Sequence, residues 1–330
     1  MPPPIFSEKS LRIDAAQEIS RITGALRGFL GRDLKRRGIV VGLSGGIDST
    51  VTAALAAKAI GPGRVFGLLM PERHSDRMST SLGHAVANWL GIACLEEDIS
   101  GILEAARFYD RYTTAIRSVV PEFGAGWTSK LAIGGIAHGN SYTTFTLVAQ
   151  RPDGRAIRER VPLTAYLGIV AATNFKQRTR KMLEYYHADR LNYAVAGTPN
   201  RLEYDQGFFV KNGDGAADMK PIAHLYKSQV YQLAEYLDAP LEIRRRPPTT
   251  DTYSMPQGQD EFYFALPYQQ MDLCLYGKNH GISAAEVAAA ASLPVETVQK
   301  TWVDIDRKRS TTRYLQLPPL LVEPITEIGR

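Results

Sequence analysis

Gly38-Ile39-Val40-Val41-Gly42-Leu43-Ser44-Gly45-Gly46-Ile47-Asp48-Ser49-Thr50-Val51-Thr52-Ala53 sets a β-branched apolar run against a small Gly-rich turn and then an Ala/Leu-rich helical pattern. That is the layout of a loop that grips phosphate at a strand–helix junction. Glycines let the backbone approach an anion, and the helix N-terminus offers free N–H donors at the positive end of its dipole.

Working outward, apolar residues at helical spacing (Leu11, Ile13, Ile19, Ile22, Leu26, Leu30) predict an amphipathic helix over 10–37. Downstream, the pattern predicts a strand at 39–43, a helix at 49–60 and a turn at Gly61-Pro62-Gly63. A buried strand at 65–70, a helix at 76–90 and a short strand at 93–95 follow. Tyr193-Ala194-Val195-Ala196-Gly197 reads as a further strand after a helix at 168–188. This alternation argues for an α/β fold, a doubly wound, mainly parallel Rossmann-like sheet with helices on both faces. Ligands of such sheets sit beyond the carboxyl ends of the strands, which singles out the loops after residues 43, 70 and 197.

Between about 119 and 166 the alternation stops. Tyr142–Val148, the turn Pro152-Asp153-Gly154-Arg155 and Ile157–Val161 read as a β-hairpin, inserted as a flap or an oligomer contact. From about 260 the chain is helical, with Ser283 as an N-cap and Pro294 near the first turn of another helix. The expected organisation is an α/β domain over 1–259 that carries the insertion, and a helical extension over 260–330 packed on it. Two short helices at 283–298 resemble a helix-turn-helix, but basic residues arrive only at Arg307-Lys308-Arg309, so a structural helical cap is the better reading.

Composition narrows the partners. The net charge of +5 is mild, and no dense basic block with interleaved aromatics suggests nucleic acid. No apolar run reaches membrane-spanning length, and Met1-Pro2-Pro3-Pro4 does not read as a signal peptide. Cys94 and Cys274 lie among apolar neighbours without metal spacing, which points to buried thiols and a reducing cytoplasm.

Three chemistries compete for the opening loop. Gly42-Leu43-Ser44-Gly45-Gly46 matches the G-x-S-x-G nucleophile elbow, but that fold needs strands upstream and only one helix precedes it. A Walker A loop needs Lys after its last Gly, and Gly46 is followed by Ile47-Asp48. A carboxylate beside a phosphate cradle makes sense when a divalent cation bridges them, which points to Mg²⁺ and ATP. Ser44–Thr50 resembles the signature loop of the N-type ATP pyrophosphatases, which grips the pyrophosphate leaving group while the α-phosphate is attacked.

A second segment runs from Gly197-Thr198-Pro199-Asn200-Arg201-Leu202-Glu203 through Gly207–Pro221 to Leu225-Tyr226-Lys227. It is a loop rich in carboxylates, lysines and Gly turns. Glu203 could supply a second metal ligand, Lys211 and Lys227 could neutralise phosphates, and Asp214 or Asp218 could hold ribose hydroxyls or an amine. With the opening loop, Asn174–Arg180, Pro248-Thr249-Thr250-Asp251 and Gln259-Asp260-Glu261, it resembles the ammonia-dependent NAD⁺ synthetases, over most of the chain outside 119–166.

The resemblance implies that ATP adenylates the carboxylate of nicotinate adenine dinucleotide (deamido-NAD), releasing pyrophosphate, and that ammonia then displaces AMP. It also implies a homodimer. By the family's motif, Gly42, Leu43, Ser44, Gly45, Gly46, Ile47, Asp48 and Ser49 cradle ATP. Thr198, Lys227 and Thr249 contact it, and Asp48 with Glu203 binds Mg²⁺. Asn174, Arg178, Lys211, Asp214 and Asp218 match the dinucleotide side. Asp48, Lys211 and Lys227 are the expected catalytic residues, acting by charge on the phosphoryl transition state. Ser44 is then a binder, with no covalent nucleophile required. The family usually has His-Lys-Arg where this chain has Arg307-Lys308-Arg309, so Arg307 and Lys308 are expected at the dinucleotide with an arginine in the histidine's place. With no glutaminase-like segment ahead of the loop, ammonia is expected to arrive free or from a partner.

Overall fold

The computed structural model describes residues 6–133, 145–250 and 252–327. Asp14 accepts the Gln17 N–H at 3.0 Å and so starts helix α1 (Ala15–Gly28), which buries Ile19, Ile22 and Leu26. The single helix predicted over 10–37 is therefore in pieces. A 3₁₀ turn at Glu8–Leu11 precedes the Asp14 cap, and a π turn at Phe29–Asp33 leads to Lys35 at φ 52° before the sheet begins.

Strands β1 (Ile39–Gly42), β2 (Val65–Leu69) and β3 (Ala93–Glu96) alternate with α2 (Ile47–Ile60) and α3 (Arg77–Leu90). The chain then passes through α4 (Ser100–Ala105), α5 (Phe108–Arg117) and three antiparallel strands, β4 (Thr128–Ile133), β5 (Phe145–Gln150) and β6 (Ala156–Arg160). Helix α6 (Leu163–Leu191) ends with Asn192 in the left-handed conformation and returns the chain to the main sheet as β7 (Ala194–Ala196).

The main sheet is parallel with order β3-β2-β1-β7, and Ile39 stands opposite both Val65 and Ala194. The chain steps outward from β1 to β3, then restarts on the other side of β1. The loops after β1 and β7 thus diverge at the point where strand order reverses, which opens a crevice. Both faces are covered. Ile39 and Val41 join a core with α1, α2 and α8 (Lys227–Tyr236), while Val40 and Val195 pack on Tyr185 and Ala188 of α6. Burial on both sides is why β1 reads as a continuous apolar run rather than an alternating one.

The inserted segment is a three-stranded antiparallel sheet rather than a hairpin alone. Its β5–β6 turn runs through Gly154 at φ 87°, as the Asp-Gly pair predicts, while residues 142–144 of the expected first strand lie outside the described residues. Leu131, Leu147 and Ala149 pack on Tyr112 and Ile116 of α5 and on Ile169 and Ala172 of α6. Strand β4 also anchors the segment after residue 252: Ser129 N donates to Ser254 Oγ (2.9 Å), and Gln257 Nε2 donates to the Leu131 carbonyl.

Beyond α7 (Arg201–Gln206) and α9 (Leu241–Arg245), three helices close the chain: α10 (Tyr268–Asn279), α11 (Ala284–Ala291) and α12 (Val295–Gln316). Their shared core of Leu273, Leu275, Val287, Val298 and Ile305 takes in Phe6 and Leu11 from the other end of the chain. Among the described residues, no helix is long and apolar enough to cross a membrane. Cys274 is buried, and that burial raises its thiol to about 12; Cys94, expected to be buried, is only half so.

Candidate active site

A cleft of about 740 Å³ opens at the carboxyl ends of β1, β2 and β7. Its inner end is the Gly-rich turn. Gly45 sits at φ 69°, and a Cβ there would lie 2.5 Å from the Ser79 carbonyl, so that position needs glycine. Ser44 and Ser49 hold the turn closed: their hydroxyls are 3.1 Å apart, Gly46 N donates to Ser44 Oγ, and Ser49 Oγ donates to the Gly46 carbonyl. Helix α2 starts at Gly46 with no side-chain cap, so its first N–H groups have no partner within the helix. Gly46, Ile47, Asp48 and Ser49 line the cleft there, a ready anion site.

Asp48 lies in the first turn of α2, and its carboxylate takes the Lys227 ammonium on one oxygen and the Asn200 amide (3.2 Å) on the other. Lys227 is the first residue of α8 and its side chain is only 2% exposed. Burial alone would push its ammonium down, but the charges of Asp48 and Glu203 outweigh burial and hold its pKa above the ordinary lysine value. Asn200 begins α7 with a capping box. Its side chain accepts from Leu202 N and Glu203 N, while Glu203 Oε2 accepts from Asn200 N (3.1 Å). The other Glu203 oxygen accepts from Gln259 Nε2 (2.9 Å). Burial, then the nearby charge of Asp48, pushes the Glu203 carboxyl above its usual range.

Asp48 and Glu203 thus converge through Asn200, and their mutual repulsion is what a divalent cation relieves. Among the described residues, no group of three or more His, Cys, Asp or Glu side chains is arranged to hold a metal. Two carboxylates suit an ion that draws the rest of its oxygens from phosphate and water, the habit of Mg²⁺.

The outer end of the cleft is assembled from scattered segments. Asn174 and Arg178 come from α6, Lys211 and Asp214 from the loop after α7, Arg307 and Lys308 from α12, and Thr198 and Thr249 from other loops; all line the cleft. Arg178 Nε donates to the Lys211 carbonyl (3.2 Å), and Lys211 Nζ donates to the Tyr314 carbonyl (2.8 Å). Asp214 accepts from Val210 N (2.7 Å), and burial raises its carboxyl. The three basic residues at 307–309 part company. Arg307 is exposed at the cleft, Lys308 pairs with Asp304 (2.6 Å) and donates to the Tyr263 carbonyl, and Arg309 forks onto Asp205. Asp218 is absent from the cleft wall. It accepts from Val195 N (2.7 Å) and from the Tyr185 hydroxyl (3.3 Å), which tie it to the sheet edge. Asp251, two residues after Thr249, lies outside the described residues.

A family model described as NAD synthase matches residues 18–121 and 156–314. The chain belongs to the NAD synthase family. It is 59% identical over 324 residues to the NH(3)-dependent NAD(+) synthetase of Rhizobium meliloti (strain 1021), covering 98% of this chain and 97% of that one. It is 32% identical over 302 residues to the enzyme of the same name from Methanocaldococcus jannaschii, covering 91% and 95%. Among solved structures, the NH3-dependent NAD synthetase of Campylobacter jejuni superposes with a TM-score of 0.61 at 20% identity, covering 94% of this chain and all of that one. The NMN synthetase of Francisella tularensis superposes with a TM-score of 0.65 at 23% identity, covering 95% and 100%. At those identities the likeness is one of fold.

The NAD synthase match breaks between 121 and 156, so it leaves out β4 and β5, and the insertion expected at 119–166 brackets that gap. The rhizobial alignment spans nearly the whole of both chains, insertion included. Several cleft residues escaped the sequence reading of this family member. Lys176, Lys181, Glu184, Tyr231 and Arg246 line the cleft, and Lys181 Nζ meets Glu184 Oε2 at 2.5 Å. The signal for Lys181 and Glu184 lay in α6, where 170, 173, 174, 177, 178, 181 and 184 fall on one helical stripe that mixes polar and charged residues. Arg246 bridges Asp76 (3.1 Å) and Ser79 (3.0 Å), a long-range contact with no local pattern.

Proposed function

We propose that this chain is an ATP-dependent ligase that amidates the carboxylate of nicotinate adenine dinucleotide with ammonia, giving NAD, AMP and pyrophosphate. The observation that carries the reading is the joining of an uncapped helix N-terminus to a network of Asp48, Lys227, Asn200 and Glu203 within one cleft. A carboxylate is a weak nucleophile and oxide a poor leaving group, so the acid must be activated before ammonia can displace anything. Attack of the acid on the α-phosphorus of ATP expels pyrophosphate, and ammonia then attacks the acyl carbon and expels AMP.

The turn at Ser44–Ser49 and the first N–H groups of α2 hold the phosphates. Asp48 and Glu203 are the residues that would hold Mg²⁺, and a divalent cation there would supply positive charge against the departing pyrophosphate. Lys227 adds a fixed positive charge at the same end, in a buried setting where such a charge acts strongly. Thr198 and Thr249 serve the nucleotide. Asn174, Arg178, Lys211, Asp214, Arg307 and Lys308 receive the dinucleotide, with Arg307 in the role the histidine has elsewhere. Asp218 contributes by holding the edge strand. We assign 1–259 to the nucleotide domain and 260–330 to a helical extension.

Exposed apolar residues on α6 (Leu163, Leu167, Met182, Tyr186) support a homodimer, and two unbridged cysteines support a reducing cytoplasm. Purified protein with Mg²⁺, ATP, ammonium and nicotinate adenine dinucleotide should release AMP and pyrophosphate and form NAD. No pyrophosphate release from that mixture would sink the reading. An NMN synthetase shares this fold, so the decisive companion is a panel of other carboxylic acids, in which a better substrate would move the assignment to that acid.

A further inference from the structure

Helix α8 carries Lys227 as its first residue, and its own Gln229 caps only the N–H of Tyr226 at the cap position (3.0 Å). The first N–H groups of such a helix are left over by its geometry, and burying them unpaired is costly. They are instead received by a residue far along the chain. Asp272 Oδ1 accepts the Lys227 N–H (3.2 Å) and Oδ2 accepts the Ser228 N–H (2.7 Å). Asp272 lies on α10 with none of its surface exposed. One turn further along α8, Tyr231 also lines the cleft, and Tyr268 of α10 stacks on it with ring centroids 5.1 Å apart and planes 10° apart. Both cleft-facing residues of α8 are thus gripped from behind by α10.

We propose that Asp272 is a positioning residue for the ATP site: by capping α8 from a neighbouring helix it sets where the Lys227 ammonium meets Asp48 and the phosphates. A buried carboxylate that accepts two adjacent N–H groups fixes the backbone of Lys227, and the short reach from that backbone to Asp48 leaves the ammonium little freedom. The C-terminal helices then take part in nucleotide binding without touching the nucleotide. This inference rests on the reading of Lys227 as an ATP-site lysine.

The test measures the Kd of Mg²⁺–ATP by titration calorimetry for the full chain, for Asp272→Ala and Asp272→Asn, and for each in a Lys227→Met background, with thermal melts alongside. Failure of the unmutated protein to bind ATP overturns the functional reading itself. Given binding, Asp272→Ala should weaken it roughly tenfold, the scale of a lost helix cap, and Asp272→Asn less, since the amide keeps one acceptor. In the Lys227→Met background the same changes should have almost no further effect, because the group they position is gone. A merely structural role would lower the melting temperature and leave the Kd of the folded protein in place. Unchanged affinity in folded Asp272→Ala, or an equal loss with and without Lys227, overturns the proposal. If Asp272→Ala does not fold, Asp272→Asn decides by the same comparison, with a loss of roughly threefold expected.

Discussion

At the inner end of the cleft Asp48, Lys227, Asn200 and Glu203 hold one another, and each is positioned at a helix start or by a cap. At the outer end Arg178 and Lys211 reach mainly to backbone carbonyls, and Arg307 is exposed on α12. The inner end is therefore preorganised, with its charges fixed before substrate arrives, while the outer end offers cations free to turn toward a ligand. Preorganised charge contributes most to a transition state. Adaptable charge at the surface contributes mostly to binding, and less of it.

Removing charge at the inner end should have the largest effect. Lys227→Met replaces a buried ammonium by an apolar chain of similar length, and we expect kcat to fall by roughly 10³-fold, about 4 kcal/mol of transition-state stabilisation. Asp48→Asn should fall as far in turnover and also destabilise the fold, because it leaves a buried ammonium without its anion. Steady-state pyrophosphate release together with urea unfolding checks both. Turnover within tenfold of the unmutated protein would erase the distinction between the two ends.

At the outer end, Arg178→Ala and Lys211→Ala should raise the KM for the dinucleotide roughly tenfold and leave the Kd for ATP unchanged, the pattern of lost uniform binding. A matching loss in ATP affinity would mean that the ends are coupled.

This contrast also explains what could be read from the chain. The inner end is written in contiguous residues, because a phosphate turn and the helix it starts are local structures: Gly42 to Ser49 could be read directly, as could β1, β2 and β7 of the parallel sheet, which are buried apolar runs. Glu203 and Lys227 stood out because the segment around them is dense in charge. The outer end draws on α6, α12 and three loops, and no local pattern announces which of Arg307, Lys308 and Arg309 turn to the cleft. Arg307 and Lys308 line it, Lys308 while paired with Asp304, and Arg309 is turned away to Asp205, contacts made by packing. Asp218 looks like a ligand in sequence, and only its bond to Val195 N shows that it serves the sheet. Strand β4 was missed because it stands well ahead of the Asp-Gly turn that announces β5 and β6.

A smaller effect should appear in the pH dependence of stability. Burial raises Asp272 to about 6, above the ordinary value of 3.8. Between those values the folded protein keeps a proton that the unfolded chain has released, so this group's contribution to stability is greatest below about 4 and is lost as pH rises through about 6. Urea midpoints of the ligand-free protein should therefore show a steeper fall between those limits than those of Asp272→Asn. Identical slopes would show that Asp272 is charged at no extra cost, which its burial makes hard to reconcile.

The smallest effect expected concerns the inserted sheet, which among the described residues meets the cleft through Ile133, Phe145 and its hold on the segment after residue 252. Gly154 lies at the far tip of that sheet at φ 87°, and a Cβ added there would meet no atom within 4 Å, so Gly154→Ala strains the backbone without any clash. The cost should be about 1 kcal/mol, a drop of roughly 2 °C in Tm. Because β4 rather than the β5–β6 turn carries the contacts to residues 254 and 257, kcat and both KM values should stay put. If the KM for the dinucleotide rose with so remote and mild a change, the insertion would have to be counted as a working wall of the outer end, and the cleft's adaptable half would extend to the tip of the sheet.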